Sequence, residues 1–440
     1  MAHIIIGESG SRTGAGESVE LSAADRRHHL YIIGKTGTGK STLIKNMVVQ
    51  DMRSGAGVAV IDPHGDLVED LLNFIPKKRT NHVVYFNPAD IEYPSGLNIL
   101  EVRTGAEKQL VASSLVSVFR HLWSHSWGPR TEYLLYNTVL ALMDTPGNTL
   151  LGVYRMLVDQ EFRKRIVGRV KDPMVKMFWV EDFERYSERF VKEIISPVQN
   201  KVGQLLTSSY LRNIVGQPKS TIDPHSIIED QDILLVNLAK GRIGEDRANL
   251  LGSVITTKLY LAVLERQKMP EDQRKDFYLY IDEFQNFSTD IFSSILSESR
   301  KYRLNLVLAH QYLDQVPEGV QRSVFGNVGT WVIFRVGSAD ASVLEKEFCP
   351  YFDMEDMRTQ KNYEIIYKLL KDGAVGDPGF TKTPSPCDRR GDETEKEAVI
   401  EASRERFAGR RGIVEEKINR WFGGYSFSSE NENGLLKILE

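Results

Sequence analysis

The feature that most constrains this chain is a glycine-rich octapeptide near its beginning, Gly34–Ser41, which reads GKTGTGKS. It fits the pattern G-x-x-x-x-G-K-[ST] in full, follows an apolar run and precedes a helical pattern, which is the context of a phosphate-binding P-loop. Glycines let consecutive backbone N–H groups turn towards phosphate oxygens, and the N-terminus of the next helix adds its positive dipole end. The octapeptide therefore predicts a nucleotide site between a strand and a helix.

Each position of this loop predicts a contact. Lys40 should reach the β- and γ-phosphates, and Ser41 should ligate Mg²⁺. Thr42 lies where it can touch the α-phosphate. The residues predicted to bind the nucleotide are Gly34, Lys35, Thr36, Gly37, Thr38, Gly39, Lys40, Ser41 and Thr42.

A P-loop enzyme also needs an acidic strand end near the metal ion. The apolar run Phe277–Ile281 delivers Asp282 to the carboxyl edge of a sheet, where it can orient Mg²⁺ through water. Glu283 comes next and can polarise an attacking water molecule. ATP-hydrolysing motors usually carry this adjacent glutamate, whereas kinases and GTP switches often lack it. The sequence therefore predicts ATP and Mg²⁺ as ligands and ATP hydrolysis as the chemistry.

Two further apolar runs end in polar residues whose roles the sequence leaves open. Gly57–Ile61 leads to Asp62, which should lie near the phosphates if its strand neighbours the strand of the P-loop. His64 lies in the same turn, and a single histidine in a turn is more often structural than catalytic. Leu304–Ala309 leads to Gln311, which could bond the attacking water and the γ-phosphate or could be a surface amide.

Apolar runs of this kind recur along the chain, and helical patterns follow most of them. They show little alternation, as expected of parallel strands buried on both faces. The predicted strands are His29–Gly34, Gly57–Ile61, His82–Phe86, Ile233–Asn237, Phe277–Ile281, Leu304–Ala309 and Thr330–Phe334. The predicted helices of this part are Lys40–Arg53, Gly244–Gln267, Thr289–Lys301 and Ala339–Phe348. The alternation predicts a wound α/β fold with a mainly parallel sheet.

Two segments depart from the α/β pattern. Residues 104–228 contain helical patterns and no convincing strand, which predicts an all-α insertion. Beyond Pro384–Pro386, a charged tail contains the helical pattern Glu393–Trp421 and is expected to be a solvated or docking helix pair. We therefore divide the chain into an N-terminal part of the core (1–103), the insertion (104–228), a C-terminal part of the core (229–383) and a helical tail (384–440).

Composition excludes several classes of protein. Lys and Arg number 56 against 60 Asp and Glu, so the net charge of −4 excludes a uniformly basic nucleic-acid coat but not a local basic surface. Only two cysteines are present, Cys349 and Cys387, which excludes a disulfide framework and a multi-cysteine zinc site. No apolar run approaches the roughly 18 residues that span a bilayer. We therefore expect a soluble, cytoplasmic protein with no membrane span of its own.

Six ordered blocks together resemble the FtsK–HerA superfamily of pumping ATPases, and most closely the ATPase of type IV secretion coupling proteins, the conjugative DNA-transfer group (TraG/TraD-like). The likeness covers roughly residues 19–385. The blocks are His29–Thr42, Ile61–Leu67, Val84–Pro88, Leu238–Gly241, Tyr280–Phe284 and Leu308–Gln311. The tail lies outside this resemblance.

The resemblance implies a RecA-like core that assembles as a homo-hexameric ring, with ATP between neighbouring subunits. It likens 104–228 to the all-α domain that caps one end of the channel, and gives Gln311 the role of the family's sensor glutamine. Arg300 lies where coupling proteins place the arginine finger offered to the neighbour's ATP, a contribution of ~10³–10⁵ in rate. Arg335 is the second candidate, because related pumps have an arginine near that strand.

The resemblance also implies a DNA partner, bound without sequence preference in the pore of the ring. Candidate contact loops are 240–247, which is basic and glycine-containing, and 315–319; the first could equally be an ordinary helix entry with Glu245 and Asp246 in its first turn. Membrane-bound coupling proteins begin with transmembrane helices, whereas here the P-loop begins at residue 34, so we expect either a separate membrane partner or a soluble role in DNA processing, mobilisation or defence. A protein-moving ATPase and an ATP-gated scaffold remain alternatives, although Glu283 argues against the scaffold.

Overall fold

A mainly parallel nine-stranded sheet forms the centre of the computed structural model, which describes residues 3–8, 18–123, 127–371, 373–387 and 393–422. The strands are β1 (His3–Gly7), β2 (Val19–Ser22), β3 (Leu30–Ile33), β4 (Gly57–Asp62), β5 (Val83–Phe86), β6 (Ile233–Asn237), β7 (Phe277–Ile281), β8 (Leu304–His310), β9 (Thr330–Ile333), β10 (Glu364–Lys368), β11 (Leu370–Lys371), β12 (Ala374–Val375) and β13 (Gly379–Lys382). The order in the large sheet is β13-β10-β9-β3-β8-β7-β4-β6-β5.

The helices surround this sheet and fill the segment between β5 and β6. They are α1 (Ala23–Arg26), α2 (Lys40–Ser54), α3 (Asp66–Leu71), α4 (Lys108–Leu122), α5 (Pro129–Met143), α6 (Leu150–Val158), α7 (Gln160–Val167), α8 (Pro173–Met177), α9 (Glu188–Leu206), α10 (Ser209–Val215), α11 (Pro224–Glu229), α12 (Lys240–Ile243), α13 (Glu245–Leu264), α14 (Ile291–Glu298), α15 (Glu318–Asn327), α16 (Ser338–Phe348), α17 (Met354–Thr359), α18 (Glu393–Phe407) and α19 (Arg411–Trp421). A π-helical turn, Phe178–Phe183, continues α8.

The seven apolar runs predicted as strands form β3 to β9, and they pair in parallel. This confirms the predicted α/β class. Two strands that the sequence did not reveal, β10 and β13, extend one side of the sheet in the antiparallel direction. Their partly exposed residues break the apolar run that marks the central strands.

Each central strand is buried on both faces, which explains the absence of alternation in the sequence. In β3, Leu30 and Ile32 pack into a core that includes α2 and α3. Tyr31 and Ile33 point to the opposite core, which includes α13 to α16 and continues into the helices α4 to α10. The P-loop therefore begins at the end of a strand that is held rigidly from both sides.

The segment between β5 and β6 is helical throughout its regular elements, which confirms the predicted all-α insertion; its limits at 104 and 228 remain a prediction. Helix α4 packs on α13 of the core, so the insertion and the sheet share one continuous apolar cluster. None of the helices within the described residues has the length and hydropathy needed to cross a bilayer.

The two tail helices dock on the rest of the molecule. Helix α18 lies along the edge strand β5, where the backbone N–H of Tyr85 donates to Ser403 Oγ at 2.8 Å and Arg404 pairs with Asp90 at 2.7 Å. Helix α19 reaches the insertion, where the Trp421 ring packs against Phe162 at 5.8 Å. The tail thus covers an otherwise unpaired edge and connects the core to the insertion. The end of the predicted tail, 423–440, lies outside the described residues.

A buried ion pair fixes the P-loop helix against the strand that carries Asp282. Arg26 donates to both carboxylate oxygens of Asp51, at the end of α2, with two bonds of 2.7 Å. The hydroxyl of Tyr280, on β7, donates to the same carboxylate at 2.5 Å. Loss of one partner would leave a buried charge uncompensated. The network therefore fixes the position of α2 relative to β7.

Candidate active site

The strand order brings the predicted site residues to one edge of the sheet. Strand β8 lies between β3 and β7, so Gln311 at its end stands between the P-loop and Asp282. Ile33 is paired with His310, and Ile281 with Leu308, which sets the three strand ends side by side. The carboxyl edge of an open parallel sheet is where such folds bind their ligands.

The strand that precedes Asp62 does not neighbour the strand of the P-loop, because β8 and β7 lie between β4 and β3. The condition under which Asp62 is expected near the phosphates is therefore not met. The Asp62 carboxylate is beside Asp282 and accepts bonds from the backbone N–H groups of His64 at 2.8 Å and Leu67 at 2.9 Å. Asp62 therefore closes its own turn and caps α3, and the side chain of His64 is exposed.

The P-loop has the cradle shape that phosphate binding needs. Gly37 and Gly39 have positive φ angles of 75° and 121°, a conformation that side chains disfavour. The loop is anchored at its base, because the N–H of Lys35 donates to Arg335 O at 2.9 Å and the hydroxyl of Thr38 donates to Lys35 O at 2.7 Å. Helix α2 begins directly after Gly39, and the first N–H groups of an α-helix have no partner within the helix, so they are available to a phosphate.

Lys40 is folded into this cradle. Its Nζ donates to the backbone oxygens of Gly34 at 2.5 Å and Lys35 at 3.2 Å. Burial lowers the pKa of Lys40 from its ordinary value, although the nearby carboxylates of Glu283 and Asp282 oppose this shift. A cation held by neutral carbonyls and surrounded by acidic groups is placed to exchange those carbonyls for phosphate oxygens.

The side chains of Ser41 and Asp282 fit a Mg²⁺ ion. Ser41 Oγ donates to Asp282 Oδ2 at 3.2 Å, so two oxygen ligands from different elements already meet. Burial, together with the charges of Asp62 and Glu283, raises the pKa of Asp282 to about 7. A divalent cation would offset this excess of negative charge, and hard oxygen donors are the ligands that Mg²⁺ prefers.

We predict that this shift makes Mg²⁺ binding depend on pH. Because the pKa of Asp282 is raised to about 7, the carboxyl carries a proton below that pH and metal binding has to displace it. We expect the affinity for Mg²⁺–nucleotide to fall by about tenfold per pH unit below pH 7 and to level off above it. Calorimetric titrations with Mg²⁺–ADP between pH 5.5 and 8 measure this slope.

The Asp282→Asn variant is the control for that measurement, since it removes the titrating group but leaves the titration of the nucleotide phosphates. It should bind Mg²⁺–nucleotide more weakly and with a flatter pH profile. Equal slopes for the variant and the wild type would contradict the assignment to Asp282.

The carboxylate of Glu283 is at the centre of a hydrogen-bonded chain that reaches the P-loop. Only 7% of Glu283 is exposed, and its Oε1 accepts a bond of 2.5 Å from Gln311 Nε2. The Oε1 of Gln311 in turn accepts a bond of 2.8 Å from the hydroxyl of Thr36. The side chain predicted to activate water and the one predicted to sense phosphate are therefore in contact with each other and with the loop.

Two residues next to this hydrogen-bonded chain were given no role by the sequence. Gln285 donates to Glu283 Oε2 at 2.6 Å, and a single amide after an acidic pair forms no pattern from which this contact could be predicted. His310 is fully buried behind Gln311, where its ring bonds the hydroxyl of Tyr31 and packs edge-on against Phe284. Burial lowers the pKa of His310 to about 3, so the ring is neutral and serves as packing.

The two arginine candidates lie at opposite ends of the parallel strands, Arg335 at the carboxyl ends and Arg300 at the amino ends. Arg335 is beside its own P-loop and donates to Gln360 O at 3.1 Å and to Asn362 Oδ1 at 3.2 Å. Arg300 is exposed on the 3₁₀ turn before β8, and its guanidinium forms no hydrogen bond or ion pair with any residue that the structure describes. The seven residues of β8 separate it from Gln311 by about 20 Å, so it cannot reach its own subunit's site.

The two candidate DNA loops also lie at the carboxyl edge. The first of them is a helix entry rather than a loop, because 240–243 form α12 and α13 begins at Glu245. Lys240 begins α12 shortly after β6, and its N–H donates to Pro63 O at 2.9 Å. The side chain of Arg242 is exposed on the same short helix. The second loop, 315–319, follows β8 and is exposed except for Val316. Both loops therefore lie on the side of the sheet that carries the candidate active site.

The chain is similar to known proteins over most of its length. The family model for the DNA-binding domain of type IV secretion-system coupling proteins matches residues 15–364. A search of curated proteins finds no match.

Solved structures share the fold at low sequence identity. The plasmid coupling protein TrwB in complex with ADP and Mg²⁺ superposes with a TM-score of 0.63 at 16% identity, over 90% of this chain and 96% of that one. The same protein with a non-hydrolysable ATP analogue gives a TM-score of 0.62 at 17% identity, with coverages of 90% and 96%. VirB4 of Thermoanaerobacter pseudethanolicus gives 0.58 at 16% identity, with coverages of 87% and 96%. These likenesses show the RecA-like ATPase fold with its all-α insertion.

Proposed function

The chain belongs to the family of the type IV secretion-system coupling protein DNA-binding domain, and from that membership we propose that it is an ATP-driven DNA translocase. In this proposal it forms a homo-hexameric ring, hydrolyses ATP between subunits and moves DNA through the pore. It works in the cytoplasm, on a membrane-embedded partner of a conjugation or type IV secretion system. The observation that carries the ATPase assignment is the contact chain from Thr36 through Gln311 to Glu283.

Each residue of that site has a part in the proposed mechanism. The N–H groups of 34–42 bind the phosphates, and Lys40 exchanges the loop carbonyls for β- and γ-phosphate oxygens. Ser41 and Asp282 hold Mg²⁺, which supplies positive charge against the phosphates. Gln311 orients the attacking water and Glu283 accepts its proton.

The position of Arg300 supports catalysis shared between subunits. Its exposed guanidinium has no partner within the described residues. It lies at the amino ends of the parallel strands, whereas its own P-loop lies at their carboxyl ends. A neighbour in a ring can receive it as an arginine finger that stabilises charge on the transferring phosphoryl group. Arg335 is the second candidate, although its bonds to Gln360 and Asn362 hold it near its own loop.

The steady-state ATPase rate with and without DNA tests the proposal. We expect single-stranded or duplex DNA to raise the rate, and the rise to fade between low and physiological salt because basic loops bind phosphates with release of counterions. The DNA form that stimulates more identifies the preferred strand type, and the Glu283→Gln variant serves as the blank. An ATPase rate that is the same with single-stranded DNA, with duplex DNA and without DNA would contradict translocation of DNA and favour a protein substrate.

A further inference from the structure

Both oxygens of the Glu283 carboxylate are occupied by side-chain amides. Gln311 donates to Oε1 at 2.5 Å and Gln285 donates to Oε2 at 2.6 Å. A general base needs a lone pair directed at the water from which it takes a proton. Each oxygen keeps a second lone pair, but a donor bonded to the ionised carboxylate stabilises that form and makes proton transfer to it less favourable.

The two glutamines differ at their other ends. The Oε1 of Gln311 accepts the hydroxyl of Thr36, so this side chain is satisfied and connected to the phosphate loop. The Oε1 of Gln285 is buried and has no hydrogen-bond partner among the described residues. A buried acceptor without a partner loses its bonds to water and gains none in return, which destabilises that arrangement. The hydrogen bond from Gln285 is therefore the less stable of the two bonds to the carboxylate and the one that breaks more easily.

From this asymmetry we propose that Gln285 restrains Glu283 and keeps the basal ATPase rate low. The inference rests on the proposed function, because it takes Glu283 as the base. Gln285 is a positioning residue: its amide holds the carboxylate away from water in the resting ring. When the side chain rotates outward, Oε2 becomes free and the buried carbonyl oxygen reaches solvent.

The 3₁₀ turn Phe284–Phe287, which contains Gln285, packs on α13, the helix that follows the basic segment 240–243. Phe287, on the same 3₁₀ turn, packs so closely on Gly252 of α13 that a Cβ added to this glycine would lie 2.3 Å from its ring. Helix α13 begins at Glu245, directly after the short basic helix that contains Arg242. In this proposal, DNA binding moves α13, and its contact with Phe287 transmits the movement to the turn and draws Gln285 from the carboxylate.

The Gln285→Met variant tests the proposal, since methionine keeps the length of the side chain and removes the amide donor. Without DNA, we expect its kcat to rise about tenfold, as the loss of one charge-assisted hydrogen bond allows. The KM for ATP should stay within about twofold, because Gln285 does not touch the phosphate loop. Stimulation by DNA should shrink by the factor that the basal rate has gained.

Three controls make the outcome decisive. Asn286→Ala alters the same turn without touching the carboxylate and should leave the basal kcat unchanged. The double variant Glu283→Gln/Gln285→Met should be as inactive as Glu283→Gln alone, because the gain passes through Glu283. Gln285→Asn, whose amide is too short to reach Oε2, should repeat the gain if the methionine variant fails to fold.

A basal kcat that is unchanged or lower in both Gln285 variants would overturn the restraint. Full activity of Glu283→Gln would instead show that the base lies elsewhere, which is a failure of the proposed mechanism rather than of the restraint alone. An equal gain in Asn286→Ala would assign the effect to the turn as a whole and would also overturn the role of the Gln285 amide.

Discussion

We expect the Glu283→Gln variant to bind ATP as tightly as the wild type while hydrolysing it about 10²- to 10⁴-fold more slowly, which is the range that a positioned general base contributes. Glutamine keeps the size of the side chain, and its carbonyl oxygen can still accept the bond that Gln311 now donates to Glu283. What it lacks is a group that can take a proton from water. Lys40 and Ser41, which are predicted to hold the phosphates and the metal, stay unchanged.

Two measurements separate binding from chemistry in this variant. Calorimetry with Mg²⁺–ATP should give a wild-type dissociation constant, and a single-turnover assay should give the reduced rate of the chemical step. Asp290→Asn serves as the matched control, because it also neutralises an acidic side chain but at an exposed position. A near-normal single-turnover rate in Glu283→Gln would move the base to another residue.

The sequence could predict this acidic pair and the P-loop because both are local patterns at strand ends. It could not predict how the strands are ordered, since order is decided by packing between segments far apart in the chain. Asp62 shows the difference: its strand was recognised, but its place beside Asp282 follows only from the order in the sheet. Gln311 shows the same point, because its contact with Glu283 depends on β8 lying between β3 and β7.

Other features could not be predicted from the sequence because they depend on single polar contacts. The docking of α18 on β5 uses the bond from the Tyr85 N–H to Ser403 and few apolar side chains, so its pattern indicates a helix but not its partner. The amide of Gln285 is a similar case, as a single polar residue in a short turn has no periodicity to interpret. Residues that act through one specific bond are visible only when both partners are placed in space.

We expect Arg300→Ala to lower the ATPase rate by about 10³- to 10⁵-fold, the contribution of an arginine finger, without weakening ATP binding. The guanidinium lies about 20 Å from its own P-loop across the length of β8, so a direct effect on the transferring phosphoryl group has to act on a neighbour's ATP. Lys301→Ala is the matched control, since Lys301 is the next basic residue on the same exposed turn. It should keep the wild-type rate.

Mixing two inactive variants distinguishes a finger from a residue that merely supports the fold. Arg300→Ala subunits have an intact P-loop, and Lys40→Ala subunits have an intact finger, so a mixed ring contains interfaces with both. With random assembly of equal amounts, about one quarter of the interfaces are complete, and we expect the mixture to regain about that fraction of the wild-type rate. Each variant alone should stay inactive at the same protein concentration. If the mixture also stays inactive although both variants assemble, Arg300 does not act across the interface, and the same experiment with Arg335→Ala then tests the second candidate.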